Sequence, residues 1–253
     1  MEKQIRIEFI QPVLGTLAGN KEIAAEFIVG RILDRLTPAQ RRQLFDGQDK
    51  EKALIEEQAK RYMLEGKELE GFPEDVASLM AEELDAIKAA DALDKASTVF
   101  PRDGEGHPIL WDYQIKGQLK GGCEFMHLAA VKTKEELKTD RLTQYLYKKT
   151  IDLMIQPHPR QIRLHLPNGD GAVAELPFNE RPLRAETQKG ARVCLARSEM
   201  CPIGTWAEFT LRLWNDKLWP YVQMWLGFGA EVGMLQWRSG GWGRFTWQEV
   251  GKA

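Results

Sequence analysis

Polar and apolar residues alternate through Gln4-Ile-Arg-Ile-Glu-Phe-Ile10, and this period of two predicts a half-buried strand. Pro12, Gly15 and Gly19 then break the pattern and predict a small-residue loop. From Asn20 the spacing becomes helical. Asn20 is a capping residue, and Ile23, Phe27, Ile28 and Leu33 share the apolar face that follows it. Thr37-Pro38 opens another helix, residues 48–65 run to Gly66, and Pro73 starts a further one to about Ala96. Glu56-Glu57, Glu82-Glu83, Asp85, Asp91 and Asp94 make this block acidic, as suits a solvated face, a partner-binding face or a mimic of nucleic acid.

Residues 97–110 carry the punctuation of a boundary in Phe100-Pro-Arg-Asp-Gly-Glu-Gly-His-Pro108. Helical spacing resumes at Tyr113, with Ile115, Leu119, Phe125 and Met126 as its apolar positions. Lys116 and Lys120 lie four apart on one face near the helix start, where free backbone N–H groups and two ammonium groups together suit an anion. Gly117, Gly121 and Gly122 are costly in a helix and predict close packing or close approach. Thr133-Lys-Glu-Glu136 is a capping box for a helix through Leu137, Leu142, Tyr145 and Leu146. Strands are predicted over residues 151–156 and 161–166, flanking Pro157-His-Pro159 as the arms of a hairpin, with a turn at Asn168-Gly169. Three more strands follow over 181–187, 191–197 and 205–214, then a short aromatic helix over 218–227 and a last strand over 244–250. The order predicts an α+β chain with an antiparallel sheet.

Between that aromatic helix and the last strand, residues 227–245 hold six glycines (227, 229, 233, 240, 241 and 243) with Trp237, Trp242, Arg238 and Arg244. Glycine admits positive φ and lets a backbone approach another surface closely. Arginine and tryptophan add a cationic fork and stacking faces. Such a loop suits a phosphate backbone, a partner subunit or simply the next strand.

Composition narrows the choice only a little. The 253 residues are 43% hydrophobic and 28% charged, enough for a sizeable core. No run of eighteen apolar residues occurs, so no membrane span is expected. The N-terminal segment lacks a signal-peptide core, and Cys123, Cys194 and Cys201 form no CxxC pair, so a cytoplasmic location is expected. The net charge of −2 is unevenly spread: residues 1–105 carry −7 and residues 106–253 carry +5. Seven of the eight tryptophans follow residue 205, so the basic half is also the aromatic one, a combination suited to nucleic acid.

Familiar catalytic motifs are absent, and no cofactor or metal is expected: His107, His127, His158 and His165 have no cysteine or carboxylate at ligand spacing. Asp112 beside Tyr113 reads as a helix N-cap or a general base. The remaining signal is basic. Arg181, Arg184, Lys189, Arg192 and Arg197 alternate with apolar positions, Lys116 and Lys120 form a second cluster, and Arg238 and Arg244 a third.

The order of these motifs resembles the RAMP superfamily, the RNA-binding proteins of CRISPR effector complexes. The strand and glycine-containing loop at residues 4–19 stand where that family has its first strand and loop. Ile115-Lys-Gly-Gln-Leu-Lys120 is similar to its Lys-Gly helix start. Arg192-Val-Cys-Leu-Ala-Arg197, followed by Pro202-Ile-Gly-Thr-Trp-Ala-Glu-Phe-Thr210, resembles its thumb-like hairpin and Gly-Thr strand. Gly233-Met-Leu-Gln-Trp-Arg-Ser-Gly-Gly-Trp-Gly-Arg-Phe245 resembles its hallmark glycine-rich loop. Trp111-Asp-Tyr-Gln114 departs from the family, which has Pro-Gly-Ser-Ser before the Lys-Gly. The chain also resembles proteins carried by tailed bacteriophages.

The resemblance implies a ferredoxin-like, RRM-type antiparallel sheet formed by residues 1–19 and 106–253, carrying an acidic helical insertion over 20–105. It implies a non-catalytic protein that holds single-stranded RNA or DNA, RNA preferred, by the phosphate backbone. Homo-oligomers or CRISPR-like complex subunits are its further expected partners. The residues it points to are Lys116, Lys120, Arg184, Arg192, Arg197, Arg238, Trp242 and Arg244, with Trp237 and Trp242 as stacking faces. Two alternatives stay open. One is a metal-independent endoribonuclease using His107, Asp112 or His158 as base. The other is a phage structural or assembly protein, or an inhibitor that copies a CRISPR subunit.

Overall fold

The alternation at the N-terminus builds the first strand of the computed structural model, β1 (Glu2–Phe9), with Ile5, Ile7 and Phe9 buried on one face. The structure describes residues 1–18, 78, 97–167, 169, 176–187 and 190–251, with 183–187 and 190–194 described by backbone alone. Two short strands follow β1, β2 (Val13–Leu14) and β3 (Leu17–Ala18), and then β4 (Ser97–Val99) and β5 (Ile109–Trp111). Three helices come next: α1 (Asp112–Leu128), α2 (Lys134–Thr139) and α3 (Tyr147–Met154). After them lie β6 (Ile155–His158), β7 (Gln161–Arg163), β8 (Phe178–Thr187), β9 (Gly190–Cys201) and β10 (Trp206–Leu213). The chain closes with α4 (Trp219–Val232) and β11 (Phe245–Val250). It is a mixed α+β chain with antiparallel sheets.

The chain forms two compact units. The first comprises Met1–Thr16, His107–Asn179 and Ser198–Ala253. Its four-stranded sheet has the order β11-β1-β10-β6, every neighbour antiparallel. Register is fixed by the alternating pattern, since a slip of one residue would turn every apolar side chain to the wrong face. Ile5 stands opposite Phe209 on β10, and Phe9 opposite Phe245 on β11. Ala207, Phe209, Leu211 and Leu213 join them on the buried face. Along the chain this sheet and its two long helices read β1-α1-β6-β10-α4-β11. The first and last strands thus sit side by side, with the third strand between the first and second.

α1 packs against β6 and α4, and α4 packs against β11. Leu119, Cys123 and Met126 from α1 meet a core that includes Val222, Trp225 and Leu226 from α4, all buried. Burying a side chain of this size stabilises by roughly 1.5–3 kcal/mol. Gly122 explains the closeness of the two helices: a Cβ there would lie 2.6 Å from the Cβ of Trp225. The glycines of α1 are therefore spent on packing, as their cost predicts, at position 122.

The second unit comprises Leu17–Gly106 and Glu180–Arg197. Within it β3 pairs antiparallel with β4, Leu17 opposite Val99. Arg197 on β9 lies 3.5 Å from Glu180 on β8. The helices expected over residues 20–96 lie outside the described residues, Ser78 apart.

Several expected elements differ. Residues 147–154 are helical, and the strand begins at Ile155 instead of residue 151. A strand there would turn Ile151, Leu153 and Ile155 to one face, yet Leu153 is 57% exposed while Tyr147 and Ile151, four apart, are buried. The expected hairpin at Pro157-His-Pro159 is not one: β6 pairs with β10, and β7 with β5. The Thr133 capping box holds, but its helix stops at Thr139 because Arg141 takes φ 57°. Asp112 is the first residue of α1 and Trp111 its N-cap, with the Trp111 N–H donating to Gln114 Oε1 at 2.8 Å. The aromatic helix continues past Gly227 and Gly229 to Val232, so the loop proper starts at Gly233.

Candidate functional site

The loop between α4 and β11 is folded back on itself. Gly233 ends α4 with φ 86° and Gly243 precedes β11 with φ 70°. The Met234 N–H donates to the Gly243 carbonyl at 3.0 Å, joining the two ends. A Cβ on Gly233 would collide with the Trp242 carbonyl oxygen, and one on Gly243 with the Met234 carbonyl oxygen. Positive φ and close backbone approach thus both require glycine at these two positions.

Hydrogen bonds seat this loop on the segment that leaves β1. The Gly243 N–H donates to the Pro12 carbonyl at 2.9 Å, and the Gln236 amide donates to the Gly15 carbonyl at 2.6 Å. Ile10 and Gln11 both donate to the Arg244 carbonyl. The loop is a shaped structure with a fixed seat.

Trp237 and Trp242 stack on each other, ring centroids 5.4 Å apart and planes 19° apart. Gly240 lies against the same indole, since a Cβ there would come within 2.7 Å of the Trp237 ring. Each tryptophan therefore has one ring face taken by the other. Arg238 and Arg244 are exposed, and neither forms an ion pair with any described residue. Both line a groove of about 750 Å³ bounded by this loop, α1 and α4. Arg238 Nη1 lies 3.9 Å from the place a Gly121 Cβ would occupy, so the loop reaches α1. Phe125 of α1 stacks on Phe228 of α4 in the groove, centroids 4.4 Å apart. Two carboxylates, Glu124 and Glu231, also line it.

The other basic residues divide into two sets. Lys116 Nζ donates to Gln156 Oε1 at 2.7 Å, and Lys120 Nζ lies 2.6 Å from Asp152 Oδ1. These contacts tie α1 to α3 and β6. At 3.6 residues per turn, Lys120 and Gly121 differ by about 100° around the axis, which separates the lysine stripe from the stripe that meets Arg238. The anion site expected of two lysines at the helix start is thus two internal polar ties. Arg184, Arg192 and Arg197 belong to the second unit, on β8 and β9. The side chains of Arg184 and Arg192 lie outside the described residues, as does Lys189.

On the sheet face opposite the buried one, the Arg6 guanidinium lies 4.0 Å over Trp206, and His165 stacks on the same indole at 4.0 Å. Arg6 also pairs with Glu208, and Arg212 with Glu2. That face carries an internally satisfied aromatic.

Behind α1, burial pushes the Cys123 thiol up to about 12, so it is no nucleophile near neutral pH. The Tyr221 hydroxyl donates to Asp140, and burial with that carboxylate raises its pKa above the ordinary phenol value. Both groups serve packing.

The phenylalanine pair escaped the sequence pattern. Phe125 has the spacing of a core residue, yet it is 45% exposed. The available signal was the small Gly121 and charged Glu124 on the same helix side, where Leu128 is 83% exposed. The chain matches no model of a known protein family and no curated protein sequence. No described helix is long and apolar enough to cross a membrane.

Proposed function

We propose that the chain is a non-catalytic single-stranded nucleic-acid-binding protein, RNA preferred, built on a ferredoxin-like module related to the RAMP superfamily. The strand order supports the module: a β-α-β-β-α-β path gives an antiparallel sheet in which strand four joins strand one and strand three joins strand two. The glycine-rich loop follows the second helix of that path, where the resemblance expects it.

One observation carries the binding reading. Arg238 and Arg244, exposed and without a carboxylate partner among the described residues, stand on a loop whose backbone is locked at both ends. Such a loop loses little freedom when a ligand docks. Two guanidinium groups suit phosphate oxygens, and phosphate contacts position a strand without reading its sequence. Binding is then salt-sensitive through counterion release. Lys116 and Lys120 act in this reading by fixing α1 under the loop.

Filter binding tests it. Single-stranded RNA is retained at low salt, lost as salt rises, and recovered intact. Absence of retention at low salt overturns the reading, and recovery of cut RNA moves the protein to the endoribonucleases.

A further inference from the structure

Resting on that nucleic-acid reading, we propose that the groove between α1, α4 and the loop is a subsite for one unstacked nucleobase, received on the Phe125–Phe228 pair. A strand held by its phosphates leaves its bases to find apolar surface, and aromatic rings supply it for any base. The obvious tryptophans are engaged: Trp237 with Trp242, and Trp206 with Arg6 and His165. Phe125 stacks on Phe228 and remains 45% exposed, against 39% for Trp237, and all three line the groove that Arg238 and Arg244 border. Leu128 extends this apolar wall.

Size and charge name the occupant. A groove of about 750 Å³ holds a base and its sugar with room to enter. Its carboxylates, Glu124 and Glu231, repel a phosphate, so the backbone is kept at the arginines while the uncharged base goes inward. The same carboxylates accept hydrogen bonds, which favours bases that present an exocyclic amino group over uracil, which has none. An apolar peptide is the competing occupant, but the pair of guanidinium groups at the rim favours the polyanion.

The test compares two labelled single strands of about twelve nucleotides, a length within the usual site size, one bearing adenine throughout and one abasic throughout. Fluorescence anisotropy at low salt reads both affinities for the wild type, Phe125→Ala and Phe125→Trp. The wild type is expected to prefer the base-bearing strand by about tenfold. Phe125→Ala should lose that preference while keeping its affinity for the abasic strand, and Phe125→Trp should retain it. Equal binding of the two strands by the wild type overturns the subsite while leaving phosphate binding in place. An unchanged preference in Phe125→Ala overturns it too and leaves the groove to a peptide. Failure of the wild type to bind either strand overturns the nucleic-acid reading, and the subsite with it.

Discussion

Arg238 and Arg244 are separated by a six-residue walk along the chain, yet both border one groove because Gly233 and Gly243 bring the loop's ends together. Their roles are separable from folding, since both side chains are exposed. Arg238→Ala and Arg244→Ala should each weaken binding of a single strand about tenfold at low salt, the loss of one charge-assisted contact of roughly 1.5 kcal/mol. Thermal melts should be unchanged, and unchanged affinity in both variants would remove the loop from the site. The glycines act oppositely. Gly243→Ala places a Cβ against the Met234 carbonyl at φ 70° and should destabilise by about 1–3 kcal/mol, read from a urea titration. An unshifted midpoint would contradict the loop geometry. At this scale the chain was legible for Gly233 and Gly243, whose close backbone approach is a local property of glycine. The tryptophans were not, because stacking of Trp237 on Trp242 depends on two left-handed residues, Leu235 and Trp237, that no residue type announces.

The helices and strands became readable where burial followed one period. β1 and β10 each bury one face, so alternation located them to within a residue or two, while β11 buries only Phe245. α3 misled because Ile151 and Leu153, with Ile155 beyond its end, stand at every second position, a strand-like pattern that helical burial of Tyr147 and Ile151 overrides. Pairing was the least legible property. β6 joins β10 across about fifty residues, and nothing near Pro157 signals so distant a partner. Gly122 was readable as a close approach, but not what it approaches. Gly122→Ala should force α1 and α4 apart at Trp225, costing about 1–3 kcal/mol in the same titration. A neutral result would show that the crossing tolerates a methyl group. The groove should widen with it, so affinity for a base-bearing strand should fall as well.

In the whole molecule, the unit that holds the loop draws on three separate stretches of chain, Met1–Thr16, His107–Asn179 and Ser198–Ala253. The charge division of the sequence, −7 before residue 106 and +5 after it, runs differently, because the arginines of 180–197 belong to the second unit. The excess of +5 is modest, so the proposed binding draws its affinity from placing a few charges well. Two arginines on a preformed loop beside an aromatic groove meet that need, with the lysines of α1 tied to Asp152 and Gln156 as scaffold. The proposed ferredoxin-like module then contributes rigidity, and its loop contributes contact. The most direct test is the salt dependence of single-stranded RNA binding, measured by anisotropy for the wild type and for the Arg238→Ala, Arg244→Ala double variant. A linear fall of log affinity with log salt concentration is expected, with a slope smaller by about 1.4 in the double variant for two lost phosphate contacts. No binding at the lowest salt, or the same slope for both proteins, would contradict it.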